Sequence, residues 1–323
     1  MTTDNLGHRL SGADHEAAAL YGAALDQLQC YVGDPLGTID QALEKSPGFV
    51  MGHAFRAWLF LLGTEPGGVS EAMGAHMIAT GLDATEREKG HLAAIGHLIR
   101  GEWQSAGRVL EDVAIGSPHD GLALQAGHII DYFRGDSRML RDRIGRAKPY
   151  WDETMPGYHN ILAMHAFGLE ETAAYAEAEK NGRRSIELDP RNAWGQHAVA
   201  HVLEMQGRQR EGIAFMRANP DAWSKDNFMN VHNWWHLALY HLDLGEIDEV
   251  LALFDGPIHG AKSGVVLDLV DASALLWRLH LRGHDVGGRW ASVADGWASI
   301  AGASLHAFND MHAMMAFVGA GLG

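Results

Sequence analysis

The sequence predicts an all-α chain, an α-solenoid of antiparallel helix pairs, and three observations predict it. Helix formers dominate a composition that is 47% hydrophobic and 20% charged, with little of the β-branched alternation that marks strands. Glycine punctuates the chain at a near-constant step. Gly63, Gly101, Gly135, Gly207, Gly245 and Gly283 each close one amphipathic segment and open another, with Ala173 in that place in the fifth unit. The steps are 38, 34, 38, 34, 38 and 38 residues. A single supersecondary unit that repeats at this interval cannot bury its apolar face alone and stacks on its neighbours.

In order, residues 1–13 read as a polar tail and 14–323 as a single repeat domain of about eight helix pairs plus an unpaired C-terminal helix. The first unit spans Asp14 to Pro47; its first helix ends near Gly33 and its second is LGTIDQALEKSP. The second pairs FVMGHAFRAWLFLLG with GVSEAMGAHMIATGL, and the third is EREKGHLAAIGHLIRGEWQSAGRVLEDVAIGSP. The fourth pairs GLALQAGHIIDYFRG with SRMLRDRIGRAK and leaves through the aromatic loop PYWDETMPGY. The fifth, EETAAYAEAEKNGRRSIELDPRNAW, is the best formed. Tyr175, Ala178 and Pro190 stand where a tetratricopeptide repeat carries its Tyr, small residue and Pro, and the step is close to that repeat's ~34 residues. The fold class is therefore a right-handed α-solenoid of tetratricopeptide-like pairs, with a closed superhelix as its tightest form. AWGQHAVAHVLEMQG and NFMNVHNWWHLALYHLDLG open the sixth and seventh units, and VVLDLVDASALLWRLHLRG pairs with GGRWASVADGWASIAGA in the eighth. LHAFNDMHAMMAFVGAGLG then reads as one further first helix, whose apolar face asks for cover from earlier in the array or from a second copy of the chain.

Charge and cysteine content exclude several classes. There are 41 acidic and 25 basic residues, a net charge of −16. Nucleic acid and anionic membranes both need a basic footprint, so neither is expected as a partner. Cys30 is the sole cysteine, which rules out an internal disulfide and a thiolate cluster. The start lacks a hydrophobic signal core and no stretch reaches ~20 apolar residues, so a cytoplasmic protein is expected.

Histidines with helical spacing mark the candidate chemistry. His197 and His201 are four apart with Glu204 three further on, and His232 and His236 repeat the spacing in the next unit. At about 100° per residue each set shares one helix face. First helices line the concave side of such a superhelix, which assigns His197, His201, Glu204, His232, His236, Asp310 and His312 as candidate acid–base residues. Trp194, Trp235, Glu170, Glu171, His306 and Asn309 follow as candidate substrate contacts. Imidazoles and carboxylates on facing helices transfer protons at neutral pH and also hold metals. A divalent metal, on His201, His236 and Glu204 if anywhere, is the less favoured reading because no HExxH and no cysteine ligand sharpens it. Any single pair reads first as packing; the whole set, with carboxylates and tryptophans, reads as a pocket. Asp268 and Asp271 precede an apolar run, so capping is the default for at least one of them. His91, His97, His128, His159 and His165 lack clustered partners in the sequence and read as packing. GPIHGAKS resembles a phosphate loop, but Ala261 stands where the second glycine is needed.

FGLEET, HAVAHVLEMQGR, HNWWHLALYHLDLG, LDLVDASALLWRL and FNDMHAMMAF together resemble the tetratricopeptide repeat protein 38 family. The resemblance runs from about Arg56–Trp58 to the C-terminus and implies an α-helical superhelix, without a settled family reaction. Two functions compete. In one, the concave face encloses a small molecule and acts on it by acid–base chemistry of hydrolase or lyase type. In the other, the array is a scaffold for a peptide or protein segment and its histidines only pack. Carboxylate-clamp peptide binding needs Lys and Arg on the first helices, where this chain has His, Glu and Trp. A homo-oligomer through the C-terminal helix is compatible with either.

Overall fold

Caps set the helix boundaries. Asp14, Asp34, Asp120 and Asp136 each accept a hydrogen bond from a first-turn amide, of Ala17, Gly37, Ala123 and Met139 respectively. Thr85 and Glu88 form a reciprocal capping box. Each satisfies an amide that the first helical turn leaves without a partner. The computed structural model describes residues 2–300, 302 and 306–322. These form 18 α-helices and no β-strand among the described residues; an isolated antiparallel bridge joins Thr3 and Arg9.

The chain divides into two compact units. The first comprises Met1–Gly63 and Gly67–Val202. It contains α1 (His15–Cys30), α2 (Pro35–Lys45), α3 (Val50–Leu62), α4 (Gly68–Thr80), α5 (Glu86–Ile99), α6 (Trp103–Gly116), α7 (Gly121–Phe133), α8 (Ser137–Ala147), α9 (Tyr158–Glu170) and α10 (Tyr175–Leu188), then α11 (Ala193–Met205) as far as Val202. From α1 to α10 every helix packs on the next in the chain. Because short turns join them, consecutive helices run antiparallel. Tyr21, Phe49, Phe55 and Trp58 fill the core of its first pairs, with edge-on ring contacts of 5.7 and 5.9 Å from Tyr21 to the two phenylalanines.

The second unit comprises Thr64–Pro66 and Leu203–Gly323. After the end of α11 it contains α12 (Gln209–Ala218), the short α13 (Pro220–Ser224), α14 (Asn230–Asp243), α15 (Ile247–Leu253), α16 (Val266–Leu281), α17 (Arg289–Ala298) and α18 (Ala307–Gly319). A π-helical turn, Phe254–Ile258, follows α15 where Gly256 and Pro257 break the regular pattern. α14 packs on α12, α15 and α16, while α18 packs on α16 and α17. Met311, Met314 and Val318 on α18 stay about half exposed. The expected end of the last second helix, at Ala301 and Ala303, and the expected start of the next at Leu305 lie outside the described residues. Among the described residues no helix is long and apolar enough to cross a membrane.

The turns carry the period. Gly101, Gly135, Gly207, Gly245 and Gly283 have φ between 64 and 80°, and Ala173 stands in the same left-handed conformation at 63°. In the second unit of the repeat, Gly63 stays helical at φ −71° and Thr64 makes the left-handed turn at 55°. As expected, the chain is all-α, and within each compact unit the helices follow one another as stacked hairpins.

Candidate functional site

In the first compact unit α11 brings Trp194, His197 and His201 onto one face, as the helical spacing requires. Trp194 and His197 lie 4.6 Å apart between ring centroids, and His197 and His201 4.3 Å. Phe167 of α9 touches all three, at 4.8, 5.2 and 5.4 Å. Trp194 donates its indole N–H to His128 Nε2 at 3.2 Å. Burial, aided by the Arg143 charge, pushes His128 down to about 3, so its imidazole is neutral and structural. His201 Nδ1 lies 3.3 Å from Glu170 Oε2 at the end of α9, and Glu171 follows directly. Although the residue as a whole is exposed, partial shielding of the Glu171 carboxyl from solvent raises it above the ordinary range, and the Glu170 charge and a hydrogen bond between the two side chains add to the shift.

In the second unit α14 and α16 build a hydrogen-bonded chain. Asp271, buried on α16, lies with both oxygens 2.9 and 3.0 Å from His232 Nδ1. His232 Nε2 in turn lies 3.1 Å from His236 Nε2. A carboxylate accepts the Nδ1–H, which fixes the tautomer and leaves Nε2 as the basic atom of His232. Trp235 stacks on the His232 ring at 5.4 Å and 12°, and the Arg278 guanidinium sits 5.0 Å over Trp235. Among the polar atoms of α14 that are buried without a hydrogen-bond partner among the described residues are the Trp235 indole N–H and both polar atoms of the Asn233 amide. Native structures leave few such groups, and each asks for a reason.

The remaining expected site residues of this unit are distributed around that chain. His312 donates from Nδ1 to the Phe308 carbonyl at 2.8 Å, and burial lowers its pKa while Asp271 opposes the shift. His306 caps α18 by accepting from the Phe308 amide. Asn309 donates to the Thr64 hydroxyl at 3.2 Å. Asp310 occupies the first turn of α18, half-buried. Glu204 belongs to a different group. Burial pushes it up to about 7; Asp243 beside it adds to the shift, while Arg278 and Arg282 oppose it. Arg282 itself holds Asp243 at 2.7 Å.

Sequence spacing missed Asp271, Arg278 and Asp243. The capping expectation for Asp268 and Asp271 fails: Val265 is the N-cap of α16, and the Val266 amide donates to Glu65 at 2.8 Å instead. An acidic residue buried in the second turn of an apolar helix is the signal that marks Asp271, because it needs a partner on another element. The histidines read as unpartnered also have partners, as His91 and His159 show. His91 accepts from the Trp58 indole at 3.1 Å and reaches Asp120 at 3.0 Å, with Arg87 on the same Asp120 oxygen at 2.7 Å. Burial alone would raise Asp120, but His91 and Arg87 outweigh it and hold the carboxyl well below its usual range. Both His91 nitrogens and both Asp120 oxygens have partners, which makes the cluster a buried brace.

His159 falls with Asp26, Cys30 and Asp189 in a group whose ligand-type atoms lie within 4.8 Å of one another. Arg191 fills it, at 2.6 Å from Asp189 and 3.3 Å from Asp26. Asn192 accepts the Gly195 amide on Oδ1 and so presents its N–H to His159 Nδ1 at 2.9 Å. That leaves the neutral ring's proton on Nε2, the nitrogen facing Asp189, where a metal would need a lone pair. Burial, with the Asp26 and Asp189 charges, also pushes the Cys30 thiol up, away from the thiolate that binds metals.

No family model matches the chain. Among solved structures it is similar to the crystal structure of the P58(IPK) TPR domain, at 10% identity over 94% of this chain and 97% of that one, with a TM-score of 0.27. At that score the likeness carries no argument, and the helix-pair architecture rests on this chain's own turns and packing.

Proposed function

We propose that the second unit binds a small molecule and acts on it by proton transfer, with Asp271, His232 and His236 as the working groups. The observation that carries this reading is the Asp271–His232–His236 chain, whose two histidines share α14 with two orphaned polar groups. Asp271 orients the His232 ring by accepting its Nδ1–H, and the 3.1 Å separation of the two Nε2 atoms allows one proton to be held between them. His236 is buried, whereas about 29% of the His232 side chain is exposed, so His232 is the end of the chain nearer solvent. The Trp235 N–H and the Asn233 amide would find their missing partners in a ligand with both an acceptor and a donor. Hydrolysis and elimination are the reaction classes such a pair serves. On the motifs quoted above, we also place the chain in the tetratricopeptide repeat protein 38 family.

The test is ligand-observed NMR of a metabolite library against the full chain and two variants. His232→Gln should weaken the ligands bound by the wild type at least about tenfold, the loss expected for one charge-assisted hydrogen bond. His97→Gln, changed at an outer ion pair with Glu102, should leave them bound. Ligands indifferent to His232 would overturn the assignment. Binding of a peptide library with the same indifference would favour the scaffold role instead.

A further inference from the structure

We propose that Glu170, Glu171 and His201 of the first unit form a divalent-cation site. Their ligand atoms, one from each residue, lie within 4.8 Å of one another, close enough to converge on a single ion. One imidazole nitrogen with two carboxylates is a borderline-hard donor set that suits Mn²⁺ or Zn²⁺.

Two further observations support it. Glu170 is 4% exposed, and its Oε2, directed toward His201, is buried and accepts no hydrogen bond. A carboxylate oxygen taken out of water without a donor is costly and calls for a cation or a proton. The site also stands at the C-terminal end of α9, where the helix dipole is negative and adds to the attraction for a cation. In the Asp26–Cys30–His159–Asp189 cluster of the same unit, by contrast, Arg191 pairs with both aspartates.

The surroundings suit an ion that exchanges with solvent. Glu171 is exposed and hydrogen-bonds Ser137, while His201 is braced by the Phe167 and His197 rings. Such outer contacts orient ligands. The exposed side leaves room for water to complete the coordination sphere.

Titration of the chelator-treated full chain with Mn²⁺, read by electron paramagnetic resonance and by calorimetry with Zn²⁺, decides the matter. One equivalent should bind, with ¹⁴N coupling to the Mn²⁺ signal that disappears in His201→Gln. Glu171→Gln, changed at an exposed position, should weaken binding at least about tenfold, the scale set by loss of a coordinating or orienting group. Glu170→Gln should abolish binding while the metal-free variant still melts cooperatively, which shows that it folds. Absence of stoichiometric binding by the wild type would overturn the proposal. So would binding that survives both glutamate changes but is lost in His232→Gln, because the ion would then belong to other ligands.

Discussion

Glu204 shows how far a residue's spacing and its role diverge. On the helix it follows His201 by three positions, which reads as a shared site. Its carboxyl instead meets Asp243, Arg278 and Arg282, with Tyr240 also in its field, and burial pushes it up to about 7. The sign of the consequence follows from linkage. A carboxyl whose folded pKa exceeds its unfolded value near 4.5 holds its proton more tightly when folded. Its stabilising effect is therefore complete below about pH 4.5 and is lost as the pH rises to 7. Full conversion of that shift would be about 3 kcal/mol, and partial solvent contact reduces it to about 1–2 kcal/mol. Glu204→Gln should accordingly gain about 1–2 kcal/mol over the wild type at pH 8 and nearly nothing at pH 4.5. Urea unfolding at the two pH values measures the difference. An equal effect at both would mean that Glu204 is already ionised in the folded protein.

At the scale of the element, the turn between paired helices is the most legible feature of the chain. Five of the seven aligned positions are glycines in the left-handed region, where a Cβ is disfavoured. Ala173 is the exception at φ 63°, and it tells what the others contribute. Ala173→Gly relieves left-handed strain but loosens the unfolded chain, for a net gain of about 0.5 kcal/mol. Gly207→Ala, at φ 68° with nothing within 4 Å of the added Cβ, should lose about 1 kcal/mol for the same reason with the sign reversed. Because no atom crowds the new methyl at Gly207, the loss reports backbone conformation alone. Denaturant midpoints at unchanged m-value would measure both, and a Gly207→Ala variant as stable as the wild type would remove the conformational account of the period. The helix starts were less legible. α16 takes its cap from Glu65, about 200 positions earlier in the chain, and no local pattern signals a cap from so far away.

At the scale of the whole molecule, the sequence carries helix faces but not which faces meet. The i,i+4 spacing placed His232 and His236 together correctly, since both lie on one helix. It could not supply Asp271, whose approach depends on how α16 packs on α14, nor the Arg191 plug that closes the cluster around His159. Composition speaks more directly to the chain as a charged body. With 41 acidic and 25 basic residues the protein carries −16 at pH 7, and self-repulsion of that size opposes compaction. Exposed pairs such as Arg184 with Glu153 and Arg208 with Glu211 act in the opposite sense, but each is worth only about 0–1 kcal/mol. Salt weakens both terms. Raising NaCl from about 0.01 to 0.15 M shortens the screening length from about 30 to 8 Å. That removes long-range repulsion across the molecule while touching contacts of about 3 Å much less. The melting temperature should therefore rise with NaCl at pH 7. Near the sequence pI of about 5.6, where the net charge vanishes, the slope should flatten or reverse. Calorimetric scans over the two salt series test this, and a melting temperature that falls with salt at pH 7 would show that the local ion pairs outweigh the net charge.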